Sequence, residues 1–187
     1  MRKSLFSLFI LSGIAALYTL TSCKSETPSQ PAHDDTLHVE AQPDTTIYGN
    51  YIDGGMSSLR IIDDSGDTLE FVLETLDKTT EVKGGLYSGD KLAIIKEEVD
   101  GENYAATVIN ITSLIGKWAD LARRFEIEDG GTVCSDVEAE TKPLVSWKIH
   151  NGRLLLNTDT FDILKITHDT LSIENHKGIY NYKRQQS

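Results

Sequence analysis

Six acidic side chains crowd one stretch of this chain: Glu126, Glu128 and Asp129, then Asp136, Glu138 and Glu140. Two carboxyls drawn from them could cleave a glycosidic bond, one as acid and one as base or nucleophile. Alternate acids on an exposed strand face are more often simply solvated, and that is the expectation here. Asp63, Asp64 and Asp67 suggest calcium. Their spacing does not fit an EF-hand loop, which places acids at alternate positions and closes on a Glu. They read as a solvated turn. His150, His168 and His176 sit at or beside turn sequences. No Gly-x-Ser-x-Gly supplies a nucleophile for them to activate. Cys-x-x-Cys, His-Glu-x-x-His and His-x-His are all missing, so no zinc or redox site is indicated. No glycine loop could cradle a phosphate. Cys134 lies in the strand-like run Gly131-Thr132-Val133-Cys134-Ser135. No His or helix start beside it would activate a thiol, so it reads as a small strand residue. The expectation is a non-enzyme with no cofactor, no metal and no catalytic residue; a hydrolase built on the acidic cluster is the remaining enzymatic reading.

The residue with a definite chemical expectation is Cys23. Arg2 and Lys3 precede an apolar run from Leu5 to Leu20, which ends in Leu20-Thr21-Ser22-Cys23. That run has the length of a signal-peptide core and is short for a bilayer span. A small residue before a lone Cys at this point resembles the lipobox of bacterial lipoproteins. The resemblance implies that residues 1–22 are removed and that Cys23 is acylated, with palmitate among its chains. An ordinary secretory signal with a chance Cys is the competing reading; the abrupt switch to Lys24-Ser25-Glu26-Thr27-Pro28 argues against it. Lys24 at the second mature position resembles the lipoprotein sorting rule for the outer membrane. The expected location is therefore the cell envelope, lipid-anchored, facing the periplasm or the cell surface.

The anchor and its tether must carry a soluble body. Formal charge is -11 over 187 residues, and loss of Arg2 and Lys3 takes it to -13. Nucleic acid and anionic headgroups need basic patches, so neither is an expected partner. Acyl chains alone would hold the body, at about 0.8 kcal/mol per buried CH2. Residues 23–45 carry Pro28, Pro31 and Pro43 among Ser, Thr, Gln and Asp, with His33 and His38 as solvated side chains. So polar a segment reads as a disordered tether.

Residues 46–112 read as about five strands. Ser58–Ile62 and Thr68–Glu74 flank the turn Asp63-Asp64-Ser65-Gly66-Asp67. Thr79–Lys83 is a weak strand; Lys91–Glu97 and Tyr104–Ile111 flank Asp100-Gly101, a hairpin signal. The count suits a small closed barrel, and the turn Gly85–Asp90 resembles the corner of OB-like barrels. Such barrels bind oligonucleotides or sugars on one face. This one lacks the basic and aromatic stripe that nucleic acid needs.

Residues 113–187 alternate more cleanly. Val145, Trp147 and Ile149 share one face, as do Leu154 and Leu156, Leu171 and Ile173, and Tyr180 and Tyr182. Asn151-Gly152 is the strongest hairpin signal, since both residues accept the positive φ of a type I′ turn. Seven or eight short strands result, an up-and-down meander that removes its edges by closing. Trp118–Arg123 could instead form one helical turn. Gly116-Lys117-Trp118, Asp129-Gly130-Gly131-Thr132, the Trp147 strand into Asn151-Gly152, Thr170-Leu171 and the closing Tyr180-Asn181-Tyr182-Lys183-Arg184 are together similar to a short lipocalin-like domain common in bacterial lipoproteins. The resemblance implies that Trp118 closes one barrel end and that Arg184 stacks on it, a structural contact. The chain is about half the length of a ligand-holding lipocalin in this region, so its barrel is shallow.

The expected fold is thus all-β: an OB-like barrel over 46–112, then a lipocalin-like meander over 113–187. Two functions follow from it. One is a binding protein for an apolar or amphipathic small molecule, held by Trp147, Leu154, Leu156, Tyr180 and Tyr182. The other is a structural or interaction protein of the envelope, with self-filled barrels and an outer surface that docks other envelope proteins.

Overall fold

The computed structural model describes residues 42–135 and 143–185. Cys23, His33, His38, Asp136, Glu138 and Glu140 lie outside them. The described residues belong to one compact unit, and it is almost all-β, with a closed five-stranded barrel and a nearly closed eight-stranded one.

The first barrel is built from β1 (Ile47–Gly54), β2 (Ser58–Asp63), β3 (Thr68–Val72), β5 (Lys91–Val99) and β6 (Glu102–Asn110). The order is β3-β2-β1-β5-β6, and Val72 of β3 pairs in parallel with Tyr104 of β6 to close the ring. Three antiparallel strands, a crossover and a parallel closure make the OB-like arrangement. The short β4 (Glu81–Lys83) runs parallel to β6 outside that ring. Strand β1 is the element that sequence reasoning passed over. Gly49, Asn50 and Gly54 interrupt its apolar pattern, and its register slips between Tyr51 and Asp53. A Cβ on Gly49 would fall 2.6 Å from the carbonyl oxygen of Ile62, so only glycine lets the two strands approach.

The turns carry their sequence signals. Asp63 Oδ1 accepts hydrogen bonds from the Ser65 and Asp67 amides, each at 2.9 Å, so this acidic trio is a self-capped turn. Asp100 and Asn151 take positive φ of 55° and 47°, each followed by a positive-φ glycine.

The second barrel runs from β7 (Gly116–Ala119) through β8 (Arg124–Ile127), β9 (Val133–Ser135), β10 (Trp147–His150), β11 (Arg153–Leu156), β12 (Asp159–Ile166) and β13 (Thr170–Asn175) to β14 (Gly178–Arg184). Each strand pairs with the next except at β9–β10, and β14 returns to pair with β7. The seam is drawn together by a bridge between Thr132 and Ser146 and by the Val133 amide on the Val145 carbonyl at 3.1 Å. Val145, expected on the inward face with Trp147, is 59 % exposed, because it lies before β10 on the seam. Trp118–Arg123 is strand and turn, not a helix: Asp120 Oδ1 accepts from the Ala122 and Arg123 amides, each at 2.7 Å.

The one α-helix among the described residues, α1 (Ile111–Leu114), links the barrels. Two cores lie side by side. Leu92, Ile94 and Val108 point into the first barrel; Ala93 and Ile109 point the other way and join the second core. The unbroken apolar runs of β5 and β6 are therefore strands buried on both faces.

Candidate functional site

Trp118 is fully buried, and its Nε1 donates to the Leu114 carbonyl at 2.9 Å. The Arg184 guanidinium carbon lies 4.1 Å from the centre of the Trp118 ring. The same guanidinium donates to three carbonyls: Ser113 at 2.6 Å, Ile115 at 2.8 Å and His168 at 2.6 Å. Ser113 and Ile115 stand at the C-terminal end of α1, where carbonyls lack helical partners and favour a cation. Burial pulls the Arg184 pKa downward. Gly116 makes the space, since a Cβ there would collide with Arg184 Nη1. At the other end of α1, the wholly buried Asn110 caps the Ser113 amide at 2.8 Å. Its Nδ2 reaches the Gly85 carbonyl at 3.0 Å and Asp90 at 2.5 Å. The short helix is thus a rivet, held by Asn110 from one barrel and by Trp118 and Arg184 from the other. Asn110-Ile111-Thr112-Ser113 carries the N-cap signal for it; β-branched Ile111 at the end of an apolar run hid that signal.

The residues expected to line an internal pocket are core. Leu154 is 0 %, Leu156 2 % and Tyr182 4 % exposed. Tyr182 meets Phe125 edge to face with ring centres 4.9 Å apart, and half-buried Tyr180 meets Phe161 at 5.9 Å. Ile127, Ile149, Leu171 and Ile173 likewise have no surface that a water molecule could touch. Among the described residues these side chains pack against one another as the core of the second barrel.

Trp147 sits elsewhere. Its Nε1 donates to the Glu128 carbonyl at 2.7 Å, spanning the β9–β10 seam. One side of it faces a cleft of about 250 Å³ where the barrels meet, with Tyr48, Lys91 and Asp64 opposite. The Tyr48 hydroxyl donates to the Ile149 carbonyl at 2.8 Å. Burial, then the negative charge of Asp44, pushes the Tyr48 phenol up to about 12. A wider cleft of about 620 Å³ lies on another side of the joint, between Tyr87, His168 and Arg184.

A clasp beside the Trp147 cleft ties down the start of the body. Asn151 Oδ1 accepts from the Thr45 amide at 2.9 Å, its amide donates to Thr46 Oγ1 at 3.0 Å, and its Nδ2 reaches the Pro43 carbonyl at 3.1 Å. Residues 43–45, expected at the end of a loose tether, are thereby bound to the β10–β11 turn. His150 Nδ1 lies 3.1 Å from Asp44 Oδ2, within ion-pair reach but off the line of a hydrogen bond. Burial of Asp44 acts to raise its pKa. The hydrogen bonds from Thr46, with His150 and Asn151 beside it, outweigh that and hold the carboxyl below its usual value.

The other sequence candidates are dispersed. His168 and His176 are exposed. Cys134 is exposed on β9, not packed as a core residue. Glu126 pairs with Lys117 at 3.8 Å, and Glu128 and Asp129 are solvated. Among the described residues no group of three His, Cys, Asp or Glu is placed to hold a metal ion, and no helix is long and apolar enough to cross a membrane. Comparison with protein-family models, with curated proteins and with solved structures gave no match.

Proposed function

We propose that this chain is a lipid-anchored binding protein of the cell envelope, without enzymatic activity, that meets its partners on the outside of two filled barrels. The observation that carries the reading is the packed second barrel. Among the described residues its interior is occupied by Trp118, Phe125, Leu154, Leu156 and Tyr182, which speaks against an apolar ligand between the strands. What remains for recognition is the outer surface, with its clefts at the joint. Candidate partners are other envelope proteins and small polar molecules; the charge of -11 disfavours nucleic acid. The anchor rests on the Leu20–Cys23 motif, with an outer-membrane address suggested by Lys24.

Two experiments test this reading. Palmitate label is expected on the whole chain and lost in Cys23→Ser, which should leave the membrane fraction; label that persists would contradict the anchor. Titration with dodecanoate is expected to give no saturable heat. Stoichiometric uptake, blocked by enlarging Leu156 to Phe, would contradict the filled barrel and restore the internal-ligand alternative.

A further inference from the structure

We propose that the cleft around Trp147, between the two barrels, binds a neutral saccharide. This rests on the reading that the chain binds outside its filled barrels. The cleft has one fixed aromatic wall. Trp147 is half-buried, and its indole N–H is already committed to Glu128, so the ring cannot turn freely. Ile111 and Ile149 close the cleft from behind but are 2 % and 0 % exposed, so Trp147 is the side chain that offers it an apolar surface. Around this stand groups of both signs: Lys91 and Lys148, Asp64 and Asp129. Their formal charges cancel, within a body that is otherwise strongly acidic. Lys91 and Asp64 are 3.9 Å apart, too far for a tight pair, so each keeps hydrogen-bonding capacity for a third group.

A ligand must match three features at once. The balanced rim favours no net charge. A mixed set of donors and acceptors suits hydroxyls, which do both. The flat ring suits an apolar face whose C–H bonds can lie on it. A pyranose carries one C–H face and a perimeter of hydroxyls, and so meets all three. A ligand of either sign would meet two groups of its own charge, Asp64 and Asp129 or Lys91 and Lys148; a purely apolar one would strand all four.

The test uses the full chain in a detergent without a sugar headgroup. Methyl glucoside, N-acetylglucosamine, maltose and cellobiose are titrated, with tryptophan emission and saturation-transfer NMR as readouts. The chain has two tryptophans. Trp118 is fully enclosed, so a change in emission reports Trp147. Saturable binding of at least one of the four is expected, weakened by at least about tenfold in Trp147→Ala. Because Trp147 also spans the seam, a second variant guards against misfolding. Asp64→Asn combined with Lys91→Met alters only rim groups and should weaken binding while Trp118 emission is unchanged. Absence of binding by all four saccharides overturns the proposal. So does binding that survives the rim variant. Dodecanoate is titrated in parallel: its uptake would overturn the filled-barrel reading itself, whereas failure of the sugars alone leaves that reading standing.

Discussion

A single guanidinium does four things at the joint. Arg184 covers Trp118, satisfies two carbonyls at the end of α1 and fixes the His168 turn. Replacing it by Met keeps the length and removes every donor. We expect a loss of about 2–3 kcal/mol, because partly buried carbonyls are left unpaired. Denaturant unfolding measures it, and a loss under half a kcal/mol would contradict the role. Gly116→Ala should displace the guanidinium and also strain a backbone held at a φ of 135°, so it should cost more than Arg184→Met while the double variant falls short of the sum of the two. Titration also reads at this scale. The Tyr48 pKa is raised in the folded state, so its contribution is complete below the ordinary value of 10 and is lost as pH rises through about 12. Tyr48→Phe should delete a late phenolate step near that pH; an unchanged absorbance titration would contradict the burial. Asp44 has the opposite sign. Its pKa is lowered from 3.8, so the stability it adds is present above that value and fades as pH falls through the folded one.

Among the elements, the clasp is the easiest to isolate. Asn151→Gly keeps the positive φ of the β10–β11 turn and removes the side chain that holds Pro43 and Thr45. A cost of about 1–2 kcal/mol is expected, with faster amide exchange at Thr45 and little change elsewhere in the barrel. Strand placement shows where sequence patterning succeeds. Strands β2, β3, β10, β11, β13 and β14 carry alternating apolar residues that are legible in the sequence, as are the Asp100-Gly101 and Asn151-Gly152 turns, whereas β12 falls out of step at a bulge between Ile163 and Lys165. Strand β1 was not legible, because a glycine required by close packing erased its alternation. The weak segment ending at Lys83 is a strand as expected but stands outside the ring as β4, beside β6. Helix α1 was hidden because four residues give no period. The stacked Trp118 and Arg184 were legible through a resemblance of motifs. The Trp147 cleft was not: Tyr48, Asp64 and Lys91 come to it from another barrel, by a topology that no local pattern encodes.

For the whole molecule, two barrels sharing one helix and a two-faced pair of strands should unfold together. Ile109→Ala removes a side chain that belongs to the second core while sitting on a strand of the first. It should cost about 2–5 kcal/mol and leave a single transition. Two separate transitions would mean independent barrels. In the proposed function the packed cores leave recognition to the outer surface. The most direct measurement is native mass spectrometry of the full chain, taken gently from the membranes that hold it. We expect a mass that carries the acyl chains on Cys23 and no second lipid or apolar metabolite in stoichiometric amount. A stoichiometric apolar adduct that disappears when Leu156 is enlarged to Phe would contradict the filled barrel and place the ligand inside it.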